Sequence, residues 1–329
     1  MNWNGIHHLR NFLPLIFKSS FKDFKVLLMD NASTDGSVQY VKNEFPEVQI
    51  VQLDKNYGFA EGNNLSIPFI DTKYTLLLNT DVEVTPHWLE PLLNCMESDN
   101  QLAAVQPKVL SYNEKHKFEY AGASGGFLDI LGYPFCRGRI LNITEEDYNQ
   151  YNDETYIFWA TGACMFIRTE VIHQIGLFDS KLFAHMEEID FCWRAHNAGY
   201  DIKVVPSSVV YHIGGGTLAH GSPKKIFLNI RNSLVVMTKN LPWYEAIYKV
   251  FFRLCLDGIA AFRGLFTGEP RLMWLVLKGH LGFYALLPHA IRERKKIPNK
   301  IPLNKIKGVI PQLMIWNFFI KKKKHFSEW

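Results

Sequence analysis

Three groups of carboxylates are placed along the chain where they could do chemistry together. The apolar run Lys25-Val26-Leu27-Leu28-Met29 leads into Asp30-Asn31-Ala32-Ser33-Thr34-Asp35-Gly36-Ser37. A second run, Tyr74-Thr75-Leu76-Leu77-Leu78, leads into Asn79-Thr80-Asp81. The third group, Glu187-Glu188-Ile189-Asp190, is followed by Phe191-Cys192-Trp193-Arg194. Open α/β sheets bind ligands in the crevice at the carboxyl ends of their parallel strands. Acids at two such ends suit a phosphorylated ligand carrying a divalent cation, because hard cations take oxygen ligands. A later carboxylate supplies a general base.

Positioning those groups requires alternating strands and helices, and residues 25–108 read that way. Strand-like runs occur at 25–29, 48–53, 74–78 and 103–105. Helical patterns fall between them at 36–45, 59–67 and 86–98, with Thr85 as N-cap and Pro86 at the first helical position. That alternation predicts βαβ units and a mostly parallel sheet flanked by helices. Residues 111–156 are glycine- and aromatic-rich, and predict loops and short strands over one sheet face. The apolar stretch 155–167 predicts a buried strand or hairpin, 187–198 a helix ended by Gly199, and 202–205 and 208–212 closing strands.

The 329 residues are 47% hydrophobic and 21% charged, enough for a large core or two domains. Five scattered cysteines without a CxxC pair argue against a disulfide framework or a zinc site, and fit a reducing compartment. The formal charge of +4 hides an asymmetry. Residues 1–223 carry 16 Lys and Arg against 27 Asp and Glu, whereas residues 224–329 carry 20 against 5. In the basic part, Glu245, Lys249, Arg253 and Asp257 recur every four residues among Trp243, Ile247, Phe251, Phe252 and Phe262. That is a narrow polar stripe on a broad apolar helix. A second apolar stretch, 272–287, ends at Pro288, and Lys321-Lys322-Lys323-Lys324 lies near the end. With no long uninterrupted apolar run, the expected partner is an anionic membrane surface met by interfacial helices. Nucleic acid, another polyanion, fits the bulky apolar content less well.

Several blocks together resemble family 2 glycosyltransferases of the GT-A (Rossmann-like) fold, most closely the bacterial rhamnosyltransferase-like branch. They are Asn2-Trp3-Asn4-Gly5, Asp30–Ser37, Asn56-Tyr57-Gly58-Phe59-Ala60-Glu61-Gly62-Asn63-Asn64, Leu76–Asp81, Thr161-Gly162-Ala163-Cys164, Gly176-Leu177-Phe178-Asp179, Glu187–Arg194 and His212–Thr217. The resemblance covers roughly residues 2–240, which divides the chain into a transferase domain, 1–240, and a basic amphipathic helical tail, 241–329. It implies an inverting glycosyltransferase in cell-surface polysaccharide synthesis, with dTDP-rhamnose or a UDP-hexose as donor and a saccharide or lipid-linked acceptor. It further implies a Mg²⁺ or Mn²⁺ cofactor and a cytoplasmic protein peripherally attached to the inner membrane.

The resemblance also assigns residues. Asp81 matches the last acid of the metal motif, whose first position is Asn79 here, and His212 stands where a histidine reaches the metal or diphosphate. The alternatives are a turn aspartate for Asp81 and a satisfied buried histidine for His212. Asp30 matches a base-contacting position, with Asn31 and Ser33 in its loop, while Ser33 or Thr34 caps the following helix. Asn56, Gly58 and Asn63 resemble a second nucleotide-facing loop, and Arg231-Asn232 a pair near the diphosphate. Glu188 stands where the family's catalytic aspartate does, with Glu187 as fallback. Trp159, Thr161, Gly162 and Asp190 fall on the acceptor side, although Trp159 equally suits a buried core strand. The departures at Asn79 and Glu188 leave open a non-catalytic nucleotide-sugar or glycan-binding relative. Relatives carry an apolar strand ahead of the block at Asn2, so this first strand is expected to be missing, from an upstream start or a poorly folding copy.

Overall fold

The computed structural model describes residues 1–214 and 221–329, so the block His212–Thr217 extends past the described residues at its end. Its centre is a six-stranded sheet in the order Thr155–Ile157, Asp201–His212, Leu102–Ser111, Cys164–Arg168, Tyr74–Leu78, with Val82–Val84 also paired to Asp201–His212. Leu102–Leu110 is buried throughout, as expected of a strand covered on both faces. Leu27–Asp30 and Gln49–Gln52 form a separate parallel pair. Asn2 joins them through a single parallel bridge to Asp30. A third sheet runs Val309–Ile310, Gly126–Asp129, Pro134–Cys136, Arg139–Ile140, Ile143–Thr144.

The expected mostly parallel sheet gives way to mixed pairing. In the central sheet only Asp201–His212 and Leu102–Ser111 run parallel, while Cys164–Arg168 lies antiparallel to both its neighbours. Parallel neighbours need a crossover, usually a helix, and the chain supplies one between Leu27–Asp30 and Gln49–Gln52 through Ser37–Glu44. The stretch 155–167 is not a hairpin either, because its two strands pair with different partners.

Two local expectations change. The helix expected over 86–98 runs Leu89–Ser98 rather than starting at Pro86, and Thr85 does not cap it. Its hydroxyl donates across to the Val209 carbonyl, the competing bond that short hydroxylated side chains readily make. The helix Arg271–Lys296 runs through Pro288 instead of stopping there, supported by packing along Pro223–Asn240. The C-terminal segment closes onto the third sheet, with Phe326 and Trp329 against Phe127 and Phe135.

Candidate active site

The loops after Leu27–Asp30 and Gln49–Gln52 are tied to each other by amides. Asp30 is fully buried, with one carboxylate oxygen accepting from Asn2 Nδ2 at 2.8 Å and the other from the Ser33 N–H at 2.9 Å. Asn31 donates to Asn56 Oδ1 at 2.9 Å and accepts from the Tyr57 N–H at 2.8 Å. Asn63 donates back to the Phe59 carbonyl. These amides tie the two loops together, with Asn31 and Asn63 buried and Asn56 exposed. The capping expected of Ser33 or Thr34 is taken by Asp35, which accepts from the N–H groups of Ser37 and Ile6. Gly58 has φ +79°, and a Cβ there would stand 2.7 Å from the Phe183 ring, so both backbone and packing call for glycine.

At the end of Tyr74–Leu78, Asp81 is buried and its Oδ1 lies 3.2 Å from His212 Nε2. His212 Nδ1 lies 3.5 Å from Glu119 Oε2. Burial works against the His212 proton, but hydrogen bonds and charge from Asp81 and Glu119 outweigh it and raise the group to about 10. Burial would raise Asp81, yet His212 and the more distant His8 hold it below its usual value. His8 also carries a buried Nδ1 without a hydrogen-bond partner among the described residues. No cluster of three or more His, Cys, Asp or Glu among the described residues is arranged to hold a metal ion alone. Asp81 offers a carboxylate oxygen to a hard cation such as Mg²⁺, whose remaining ligands a diphosphate and water would supply; His212 would join it only on giving up its proton, because an imidazolium has no lone pair to donate.

The third carboxylate group opens the helix Glu187–Asn197. The turn before it is strained: Phe183, His185 and Met186 have φ of +67°, +67° and +73°, a region few non-glycine residues occupy. Asn232 secures this turn by donating to the carbonyls of Leu182, Ala184 and His185 at 3.0, 3.0 and 2.7 Å. Arg231 donates to the carbonyls of Lys181 and Leu182. Arg231 and Asn232 thus hold the turn. Glu187 is buried and Glu188 half-buried, and each has a carboxylate oxygen lacking a hydrogen-bond partner among the described residues. Burial raises Glu188 to about 7. Burial, and then the Glu188 charge, raise Glu187 well above the usual carboxylate value. Lys225 is within electrostatic reach of both Glu119 and Glu188, which links Asp81, His212, Glu119, Lys225 and Glu188 around one region.

The residues expected on the acceptor side separate. Asp190 is fully buried, with its oxygens taken by Lys239 at 3.0 Å, Arg194 at 2.9 Å and Asn240 at 2.9 Å. It is an anchor for the helix and does not open to a ligand. Trp159 is also buried, stacked over Gly126 with its Nε1 donating to the Phe127 carbonyl; it is a core residue, though at a single bridge to Gly126 rather than within a strand. Thr161 is buried and donates its N–H to Gln106 Oε1. Gly162 stays half-buried beside the Phe59 ring. Sequence reasoning missed Glu119, Lys225 and Lys239. Glu119 lies in an irregular segment and both lysines in a helix whose charges give no local sign of a site.

The family model described as Glycosyl transferase family 2 matches residues 3–176, more than half of the chain. The chain is 26% identical over 224 residues to the N-acetylglucosaminyl-diphospho-decaprenol L-rhamnosyltransferase of Mycobacterium tuberculosis, covering 62% of this chain and 71% of that protein. It is 25% identical over 313 residues to the low-salt glycan biosynthesis hexosyltransferase Agl10 of Haloferax volcanii, covering 92% of each. A solved structure, GalNAc-T7 with UDP, GalNAc and Mn²⁺, superposes with a TM-score of 0.55 at 15% identity. It covers 72% of this chain, which spans only 46% of that longer one, and at this identity the likeness shows the fold alone. The chain belongs to glycosyl transferase family 2, on a GT-A-like fold and with its similarity running to the rhamnosyltransferase-like branch.

Proposed function

We propose that this glycosyltransferase moves a sugar, with inversion, from dTDP-rhamnose or a UDP-hexose to a hydroxyl of a saccharide or lipid-linked acceptor in cell-surface polysaccharide synthesis. The observation that carries this reading is Glu188, a half-buried carboxylate with an oxygen unpartnered among the described residues, raised to about 7, beside the region of Asp81 and His212. A base with a pKa near the working pH is matched to proton abstraction.

In this mechanism Glu188 takes the acceptor hydroxyl proton as the oxygen attacks the anomeric carbon. The bond from that carbon to the donor's diphosphate breaks, and the nucleoside diphosphate leaves with the electron pair. A divalent cation held by Asp81, and by His212 once the cation displaces its proton, would neutralise charge on that diphosphate. Lys225 offsets the Glu188 carboxylate. Loops carrying Asp30, Asn31, Ser33, Asn56, Gly58 and Asn63 form the nucleotide side, and Gly162 keeps a place on the acceptor side. Residues 1–240 carry the transfer and 241–329 attach the protein peripherally to the cytoplasmic face of the inner membrane.

A thermal-shift screen of nucleotide sugars, with and without Mn²⁺, identifies the donor. NMR of the anomeric centre then reads the stereochemistry. An inverted product supports the reading. A retained configuration, or binding of the donor without any turnover, overturns it.

A further inference from the structure

The helix Trp243–Phe266 is turned inside out. Its charged stripe faces the protein: Glu245, Lys249 and Arg253 are all buried. Glu245 and Lys249 form an ion pair at 2.7 Å. The Arg253 guanidinium lies 3.6 Å from the centre of the Tyr133 ring and donates to the Gly132 carbonyl and Ser233 Oγ. Asp257 meets His280 of the neighbouring helix at 3.4 Å. The opposite face carries Tyr244, Tyr248, Phe251, Ile259, Phe262 and Phe266, all exposed, with Phe266 at 77%. Their spacing of three, four, seven or eight residues puts them on one side of a helix. Arg271–Lys296 repeats the arrangement with Trp274, Leu277, Leu281 and Tyr284 exposed.

A stripe of this size in water is unfavourable, and soluble proteins seldom leave one bare. Charge selects the occupant. Residues 224–329 carry 20 Lys and Arg against 5 Asp and Glu. Of those acids, Glu245 is buried against Lys249 and the Asp257 side chain is only 12% exposed beside His280. The exposed balance is strongly basic, so a second copy of the same face would repel. Among the described residues no helix is long and apolar enough to cross a membrane. We propose that these two helices lie flat in the interface of an anionic phospholipid bilayer, with the outer aromatic and aliphatic stripes sunk past the headgroups. The polar stripe stays on the protein, where its partners are already in place, so docking requires no refolding. This inference rests on the membrane attachment proposed for 241–329 and not on the sugar-transfer chemistry, so its failure would leave that chemistry standing.

Vesicle flotation of the full chain tests the proposal, comparing phosphatidylcholine alone with phosphatidylcholine containing phosphatidylglycerol. The protein is expected to float with the anionic vesicles and to do so less as salt rises. The triple variant Phe251→Ser, Phe262→Ser, Trp274→Ser is expected to lose binding by about tenfold or more per aromatic removed, while its nucleotide affinity stays unchanged. Tryptophan fluorescence of the unaltered chain should be quenched by brominated lipid in anionic vesicles, and less so in Trp274→Phe. Wild-type protein that stays unbound and unquenched overturns the proposal. So does a triple variant that floats equally well, or a dimer that the triple substitution splits without any vesicle binding.

Discussion

Replacing Glu188 by glutamine removes a carboxylate whose ionisation the fold resists, and the consequence has two opposite signs. Burial raises Glu188 from 4.5 to about 7. Each pKa unit between folded and unfolded chains is worth about 1.4 kcal/mol, so the ionised group costs the native state ~3 kcal/mol. In the unfolded chain the carboxyl ionises near 4.5, while in the folded chain it ionises only near 7. Below the lower value both states hold the proton and the group costs nothing. The cost grows as pH rises between the two values and is complete above the upper one. Glutamine never ionises, so Glu188→Gln should match the wild type near pH 4 and exceed it by ~3 kcal/mol near pH 8. Urea unfolding at the two pH values measures this. Turnover should move the other way: losing a general base costs about 10²- to 10⁴-fold in kcat. The acid limb of the wild-type kcat/KM profile should turn near 7 for the same reason. A variant no more stable than the wild type near pH 8 would show that Glu188 ionises freely. Retained turnover would show that it is not the base.

Asp81→Asn removes the only carboxylate of the proposed cation pair. Mn²⁺ affinity, read by electron paramagnetic resonance of free Mn²⁺ in the presence of nucleotide, should fall at least about tenfold, and unchanged affinity would remove Asp81 from the site. Lys239→Met leaves Asp179 and Asp190 buried without the ammonium that bridges them at 2.6 and 3.0 Å. Stranding buried charges costs about 3–5 kcal/mol at neutral pH, seen as a lower urea midpoint. Burial would raise Asp179, yet Lys239 and His289 hold it at about 2, so its contribution is present above 3.8 and lost as pH falls through about 2. The variant should lack that acid dependence. Asn232→Ala should loosen the 182–188 turn, cutting kcat with little change in donor KM and raising hydrogen exchange there. Unchanged exchange would show that the turn does not depend on Asn232.

The strand-end acids were legible because each follows its strand directly, so a local pattern places it: Tyr74–Leu78 and the Asp81 turn are one continuous reading. The helix Glu187–Asn197 was legible for the same reason, bounded by its acids and by Gly199 at φ +94°. Contacts between distant segments were not. Glu119 reaches His212 across 93 positions of chain, and no periodicity in either segment announces it. The Trp159 ambiguity is resolved by Gly126, whose missing side chain leaves room for the indole. For the stripe at Glu245, Lys249, Arg253 and Asp257, helical spacing defines two faces but not which one is inside. Tyr133, Ser233 and His280 decide that, and each lies on another element.

A turn with three left-handed residues leading into two adjacent glutamates is unfavourable on both counts, at roughly 1–3 kcal/mol for each strained residue before the acids are considered. It persists because Pro223–Asn240 grips it at two places. Near its middle, Asn232 satisfies three carbonyls of the turn. At its end, Lys239 and Asn240 clamp Asp190 one helical turn beyond the glutamates. Its first turn brings Lys225 into reach of Glu188. Lys225 and Lys239 are 14 residues apart, about 21 Å along a rigid helix. One lysine can therefore neutralise the anchor while the other acts on the base, and neither has to move for the other to work. His289 of Arg271–Lys296 completes the clamp by contacting Asp179 at 3.0 Å, so the helix pair bearing the outer apolar stripes meets the 182–188 turn through this carboxylate as well as through its packing on Pro223–Asn240. The pairing with Lys239 and His289 keeps Asp179 ionised across the physiological range, so this contact persists wherever the enzyme works.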